Sequence, residues 1–185
     1  LYQRLLIMND ERECQRFNAV ARAERGGAVA AEELAKMYEH GDAYNNIEQN
    51  DAKALEWYQK AEVRQQGRCA YRLGRAYEHA ELGLLQSNEN AVEWYQKKSI
   101  CSQNSGYRLG KAYEHGELGL PQNDEKAATA YRDAADRCIA ERGSQHTAYG
   151  RSGKVYRWYV VRRMYKAYKN GELGLEKNQE MASRY

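Results

Sequence analysis

The chain has 185 residues and a formal net charge of +3, with 42% hydrophobic and 30% charged residues, 16 Tyr against one Phe and one Pro, and four Cys. No run approaches the ~18–20 consecutive apolar residues that span a bilayer, so no stretch reads as a transmembrane helix. A mean hydropathy of −0.97 leaves a core to be assembled from Ala, Leu and the apolar faces of Tyr and Trp, and the length fits one or at most two domains.

Taken in order, Leu1 to Gly26 places Leu5, Leu6, Phe17, Val20 and Ala21 among charged residues. That spacing predicts one long or two short amphipathic helices capping one end of the fold. The first ten residues, LYQRLLIMND, carry too many polar interruptions for a signal-peptide core, although a chain that starts at Leu1 is compatible with a leader already removed. Gly26-Gly27 then breaks the helix.

Beyond this break the chain is repetitive. YRLGRAYEHAELGLLQSNENAVEWY, Tyr71 to Tyr95, returns 36 residues later as YRLGKAYEHGELGLPQNDEKAATAY, Tyr107 to Tyr131. Looser copies lie at Glu32 to Tyr58 and Arg162 to Tyr185. The expected layout is a single domain over 1–185: a cap at 1–26, repeats at 30–67, 69–104 and 105–141, a basic insertion at 142–160 and a partial fourth repeat at 161–185.

Aligning the copies gives a first helix, A, with a stripe at i, i+3, i+4, i+7: Ala31, Leu34, Ala35, Tyr38; Ala70, Leu73, Gly74, Tyr77; Gly106, Leu109, Gly110, Tyr113; Val161, Met164, Tyr165, Tyr168. This is a core stripe rather than a ligand-binding aromatic box, since it recurs in every copy and its small residues permit close helix approach. Trp158 extends it by one turn and is expected in the core. Helix A stops at Gly41, Gly116 and Gly171, where positive φ is easiest, and at Ala80 in the second copy, at a cost of up to about 1 kcal/mol. Asn50, Ser87, Asn123 and Asn178 are then N-caps of a second helix, B. Helix B buries Ala54, Trp57, Tyr58, Ala61; Ala91, Trp94, Tyr95; and Ala127, Ala130, Tyr131, Ala134. Each repeat is a helical hairpin.

The pattern L-G/A-x-x-Y-x-x-G, a short loop, a polar cap and A-x-x-W/A-Y resembles the Sel-one-like repeat (SLR) family, relatives of the tetratricopeptide repeats, over about Ala30 to Tyr185. Departures are Ala80 for Gly, Ala130 for the helix B Trp, and bulky Tyr165 at a small position. The resemblance implies an all-α, right-handed α-solenoid of antiparallel helix pairs whose A helices line a concave surface. It also implies a non-enzymatic protein-interaction role, with bacterial exported inhibitors, among them immunity proteins neutralising an antibacterial lipase effector, within the family's range. A cytoplasmic signalling adaptor and a nucleic-acid-binding module are the alternatives.

If helix A lines a groove, Arg72 and Arg75, Arg108 and Lys111, and Arg163 and Lys166 recur beside Tyr71 and Tyr107 as a basic, aromatic-edged stripe suited to an acidic protein partner. A solvated face whose Arg stems cover Tyr rings is the competing reading. From Arg142 to Gly171 there are eight Lys or Arg and no Asp or Glu, so the other residues hold 29 − 8 = 21 basic against 26 acidic residues. Within that segment Arg151, Lys154, Tyr156 and Arg157 have the composition of a protein-contact hot spot; a purely structural lengthening of the helix is the second reading, and stacking rings beside phosphate partners would also suit nucleic acid, the least favoured of the three.

His40, His79 and His115 share one repeat position beside Glu39, Glu78 and Glu114, but copies a repeat apart cannot share one ion and no H-x-x-x-H spacing occurs, so donors to helix C-termini are expected rather than a metal site. Neither G-x-S-x-G, H-E-x-x-H nor a phosphate loop is present, and no catalytic residue, cofactor or small-molecule substrate is expected. Cys69 and Cys101 fall at neighbouring ends of helices A and B of repeat 2, a geometry compatible with a disulfide; reduced thiols, with Cys69 filling a small buried site, are equally consistent. An oxidised pair would place the protein in the periplasm or outside the cell.

Overall fold

A computed structural model describes residues 2–64, 69–97, 103–140 and 151–185. Among them are the helices α1 (Tyr2–Arg25), α2 (Ala28–His40), α3 (Asp51–Arg64), α4 (Ala70–His79), α5 (Asn88–Lys97), α6 (Gln103–His115), α7 (Asp124–Ala140), α8 (Arg151–Asn170) and α9 (Gln179–Arg184). Extended pairing among the described residues is limited to one bridge, Asp42 to Ile47. The fold class is an all-α solenoid, as the repeats require. Contacts group the chain into two compact units, Leu1–Gln86 and Ser87–Tyr185, so helix A of repeat 2 (α4) belongs to the first and its helix B (α5) to the second.

In the first unit the capping segment is one helix. It docks on α2 through Ala19 and Ala23, both buried. Phe17, expected on the buried face, is 71% exposed; among the described side chains of α1 the buried pair is Ala19 and Ala23, at i, i+4, and Phe17 lies roughly 200° around the helix from Ala19. Repeat 1 buries all four expected residues of α2 (Ala31, Leu34, Ala35, Tyr38) and all four of α3 (Ala54, Trp57, Tyr58, Ala61). In α4, Ala70, Leu73 and Gly74 are buried as expected, but Ala76 and Glu78 join them while Tyr77 is half-buried.

The helix boundaries follow local chemistry. Each predicted N-cap accepts a backbone N–H three residues on: Asn50 from Lys53 at 2.9 Å, Ser87 from Asn90 at 3.2 Å, Asn123 from Lys126 at 2.8 Å and Asn178 from Met181 at 2.9 Å. At the other boundary Ala80 does adopt the left-handed conformation, φ 56° and ψ 42°. Less expected is the turn beyond it. In each E-L-G-L turn Leu82, Leu118 and Leu173 have φ of 55°, 57° and 57° and precede a glycine of positive φ. These are type I′ turns, closed by Leu84 N–H to Glu81 O, Leu120 N–H to Glu117 O and Leu175 N–H to Glu172 O, all 3.1 Å. A leucine tolerates this backbone because its side chain is buried at Leu82 and Leu173.

In the second unit α6 and α7 form the best-packed hairpin, and Gly110 marks why: a Cβ there would stand 2.7 Å from two ring carbons of Tyr131. Residues 151–160, expected as an insertion, continue without a break into helix A of repeat 4 as α8. The buried stripe of α8 is Val160, Met164, Ala167 and Tyr168, with Val161 and Tyr165 half-buried. Trp158 is therefore not core but 61% exposed: it points roughly 135° away from the mean direction of that stripe. The stripe's Ala167 corresponds in register to buried Ala76 and Ala112, so the bulky tyrosines drew the expected face too far around the helix.

Candidate functional site

The E-L-G-L turns bring a glutamate back onto helix A, nine residues after the arginine of its own repeat. In the first unit the Arg72 guanidinium donates from Nε and Nη2 to Glu39 Oε1, at 3.0 and 2.6 Å, and from Nη1 to Glu81 Oε2 at 2.6 Å. The other oxygen of Glu39 accepts the Tyr58 hydroxyl at 2.5 Å. The second unit repeats this: Arg163 donates from Nη2 to Glu114 Oε1 at 2.7 Å and from Nη1 to Glu172 Oε2 at 2.5 Å, while the Tyr131 hydroxyl donates to Glu114 Oε2 at 2.8 Å. Helix B of one repeat (Tyr58, Tyr131) is thereby tied to helix A of the next (Arg72, Arg163) through the glutamate at the end of helix A. Arg108, whose Nη1 is 2.6 Å from Glu117 Oε2, stands in the same register.

These contacts set the charge states. Burial alone would raise the Glu39 and Glu114 carboxyls, but hydrogen bonds from Arg72 and Tyr58, and from Arg163 and Tyr131, hold both below the ordinary carboxylate range. Tyr58 and Tyr131 are pushed well above the usual phenol range, by burial first and then by the carboxylate each donates to. Arg72 and Arg163 lose some basicity to burial and regain more from their glutamates.

The predicted basic stripe thus divides in two. Arg72, Arg108 and Arg163 have side chains only 20%, 16% and 13% exposed, held against carboxylates of their own chain. Their neighbours are the outward cations: Arg75 lies 3.0 Å from Glu81 and Lys111 3.9 Å from Glu117, both side chains 43% exposed, and Lys166 is exposed. Tyr71 is half-buried. Tyr107 is half-buried too, its ring centroid 4.9 Å from Tyr159 edge-on and 6.3 Å from Tyr131. The missed signal was in plain sight: the Glu of each E-L-G-L keeps a fixed offset from the Arg.

What the second unit does present outward is α8. Trp158 and Tyr159 are 61% and 45% exposed, and the Arg162 guanidinium lies 4.8 Å from the Trp158 ring centroid, a cation–π stack along the exposed face. Between Arg151 and Asn170 this helix holds no acidic residue. The side chains of Arg151, Lys154, Tyr156 and Arg157 lie outside the described residues. So does Cys101; Cys69, its proposed disulfide mate, is buried with its N–H donating to Glu62 at 3.0 Å.

His40, His79 and His115 each end a helix as predicted; His40 and His79 are exposed and sit 3.9 and 3.8 Å from Glu39 and Glu78. Among the described residues no group of three or more His, Cys, Asp or Glu is placed to hold a metal ion, and no helix is long and apolar enough to cross a membrane.

Solved structures resemble this architecture, among them the following two. A protective antigen present in uropathogenic Escherichia coli strains, displaying an SLR fold, aligns with a TM-score of 0.65 and 24% identity over 90% of this chain and 31% of that one. A Sel1 repeat protein from Oxalobacter formigenes aligns with a TM-score of 0.69 and 22% identity over 92% of this chain and 43% of that one. At these identities the likeness establishes the fold, and the chain spans less than half the length of either relative. Among curated protein sequences none matches. Proteins built from this repeat generally serve as scaffolds for protein–protein contact, and the fold is typically non-catalytic. The Sel1 repeat pattern matches residues 28–62, 67–97, 107–136 and 166–185, more than half of the sequence, and the chain belongs to the Sel1 repeat family.

Proposed function

We propose that this chain is a non-enzymatic scaffold that binds one protein partner through the exposed face of α8 and the outward cations beside it, Lys111 and Lys166. The observation that carries this reading is Trp158, left 61% exposed with Arg162 stacked on it. Leaving an indole in water forgoes roughly 1.5–3 kcal/mol of burial free energy, and Trp and Arg are the residues most enriched where interface energy concentrates. A helix rich in Lys and Arg with no acidic residue favours a partner with an acidic surface, which it would attract at a salt-dependent rate. Within that reading an exported bacterial inhibitor, of the immunity-protein kind that occupies a toxin or effector such as an antibacterial lipase, fits a binding module of this family; its site of action would be the periplasm.

The test is affinity capture from the host cell with the bound protein identified by mass, followed by titration of the purified pair at rising ionic strength. A stoichiometric complex whose association slows with salt is expected. Loss of all binding to protein, together with single-stranded nucleic acid bound steeply more weakly between low and moderate salt, would replace the reading.

A further inference from the structure

The second unit carries a cavity of about 350 Å³ between α6 and α7. Its floor is Leu109, Tyr113 and Ala130, and its rim is Glu125, Lys126, Thr129 and Asp133. The repeat supplies its own explanation. In repeat 1 the frame is the same: Leu34 and Tyr38 on helix A, with Lys53 Nζ 5.3 Å from the Tyr38 ring centroid, as Lys126 Nζ is 5.5 Å from that of Tyr113. There the helix B register is held by Trp57, 6% exposed, with Lys60 Nζ 4.3 Å from its ring centroid and tied to Glu56 at 2.6 Å. In repeat 3 those three positions are Ala130, Thr129 and Asp133. Repeat 3 lacks the indole and the lysine that covers it, and the cavity lies at their positions, over a floor whose Leu109, Tyr113 and Ala130 are 6%, 8% and 7% exposed.

We propose that this slot is a binding site for a tryptophan side chain of a protein partner, carried beside a basic residue. An indole is the group that repeat 1 buries at the position of Ala130, with a lysine over it. At about 350 Å³ the slot is at the small end of ligand pockets, the size for one anchoring side chain rather than an extended ligand. Lys126 over Tyr113 leaves an aromatic and aliphatic floor, while Asp133 in the place of Lys60, together with Glu125, turns the rim acidic and selects a cation next to the ring. An aromatic anchor in a preformed pocket is how repeat scaffolds of modest area gain affinity from few contacts. The slot does not include α8; only the source of the indole rests on the scaffold reading above.

The test uses the full chain and three probes, the capped dipeptides Ac-Trp-Arg-NH2, Ac-Trp-Glu-NH2 and Ac-Ala-Arg-NH2, with binding followed by amide chemical shifts in α6 and α7. Saturable shifts are expected for both tryptophan probes, with the Trp-Arg form tighter by about twofold to fivefold, and none for Ac-Ala-Arg-NH2. Ala130→Trp should weaken Ac-Trp-Arg-NH2 by at least about tenfold by refilling the slot. Asp133→Lys, an exposed change that leaves packing alone, should abolish the preference for Arg over Glu. Absence of saturable shifts, or equal affinity in a folded Ala130→Trp chain, overturns the proposal. Self-association of the parent chain that is lost in Trp158→Ala would assign the slot to a second copy and overturn its assignment to a partner.

Discussion

Gly110→Ala isolates the contact on which the second unit's main hairpin rests. The added Cβ would stand 2.7 Å from Tyr131 Cδ1 and Cε1 and 3.0 Å from Cγ, against an optimum carbon–carbon separation of about 3.5–4.0 Å. The ring must retreat by roughly 0.8 Å or more, yet it is fully buried and its hydroxyl is anchored 2.8 Å from Glu114. Overpacking of this kind costs about 1–3 kcal/mol, and disturbing a hydrogen bond to a charged acceptor adds up to about 1.5–3 kcal/mol. Helix propensity returns about 1 kcal/mol. A net loss of about 2–3 kcal/mol follows, a fall in Tm of roughly 4–12 °C for a chain of this size, read by thermal melting in far-ultraviolet circular dichroism. In a Tyr131→Leu background, where the flexible side chain can move aside, the same substitution should become neutral or stabilising. A higher Tm for Gly110→Ala in the parent chain would refute the reasoning.

Other outcomes rest on the same geometry. Ala80→Gly should stabilise the chain by up to about 1 kcal/mol, because Gly adopts φ 56° without the strain Ala bears; chemical denaturation checks this, and a loss would mean Ala80 is not left-handed. Arg163→Met leaves Glu114 and Glu172 without their guanidinium and should cost about 2–4 kcal/mol, whereas Lys166→Glu on the outer face should change stability by less than about 0.5 kcal/mol. Because the folded Glu39 and Glu114 carboxyls titrate below the unfolded value of 4.5, their contribution is complete above the ordinary carboxylate range and is lost as pH falls through and below it; unfolding titrations below about pH 5 should show this slope, and Arg163→Met should flatten it. Tyr58, Tyr131 and Tyr185 have folded pKa values raised above 10.0, so stability should decline as alkaline pH ionises the unfolded chain first, and the phenolate absorbance of these three should appear only with unfolding.

The repeated helix pattern, all four N-caps, left-handed Ala80 and most of the buried stripe were legible because each depends on residues close in sequence. Asn50 caps a helix wherever it sits before one, and Ala31, Leu34, Ala35 and Tyr38 share a face by spacing alone. What failed involved choosing between neighbouring faces. On α8 the aromatic spacing of 158, 161, 165 and 168 competes with 160, 164, 167 and 168, and packing against α6, α7 and α9 selects the second. Phe17 was misplaced for the same reason, since two alanines rather than the aromatic make the α1 contact. The basic stripe was harder still. Counting Arg72, Arg108 and Arg163 as surface charge ignored Glu81, Glu117 and Glu172, which reach them through turns that place leucine, against its preference, at positive φ.

The central claim is that α8, not the buried arginines, meets a protein partner. With the partner identified, isothermal titration against Trp158→Ala, and against the pair Lys111→Glu with Lys166→Glu, tests it directly. The account predicts that Trp158→Ala weakens binding by about 2 kcal/mol or more, roughly 30-fold, and that the charge reversals weaken it further at low salt than at high salt, with Tm unchanged in each variant. Parent affinity in a folded Trp158→Ala chain would contradict it.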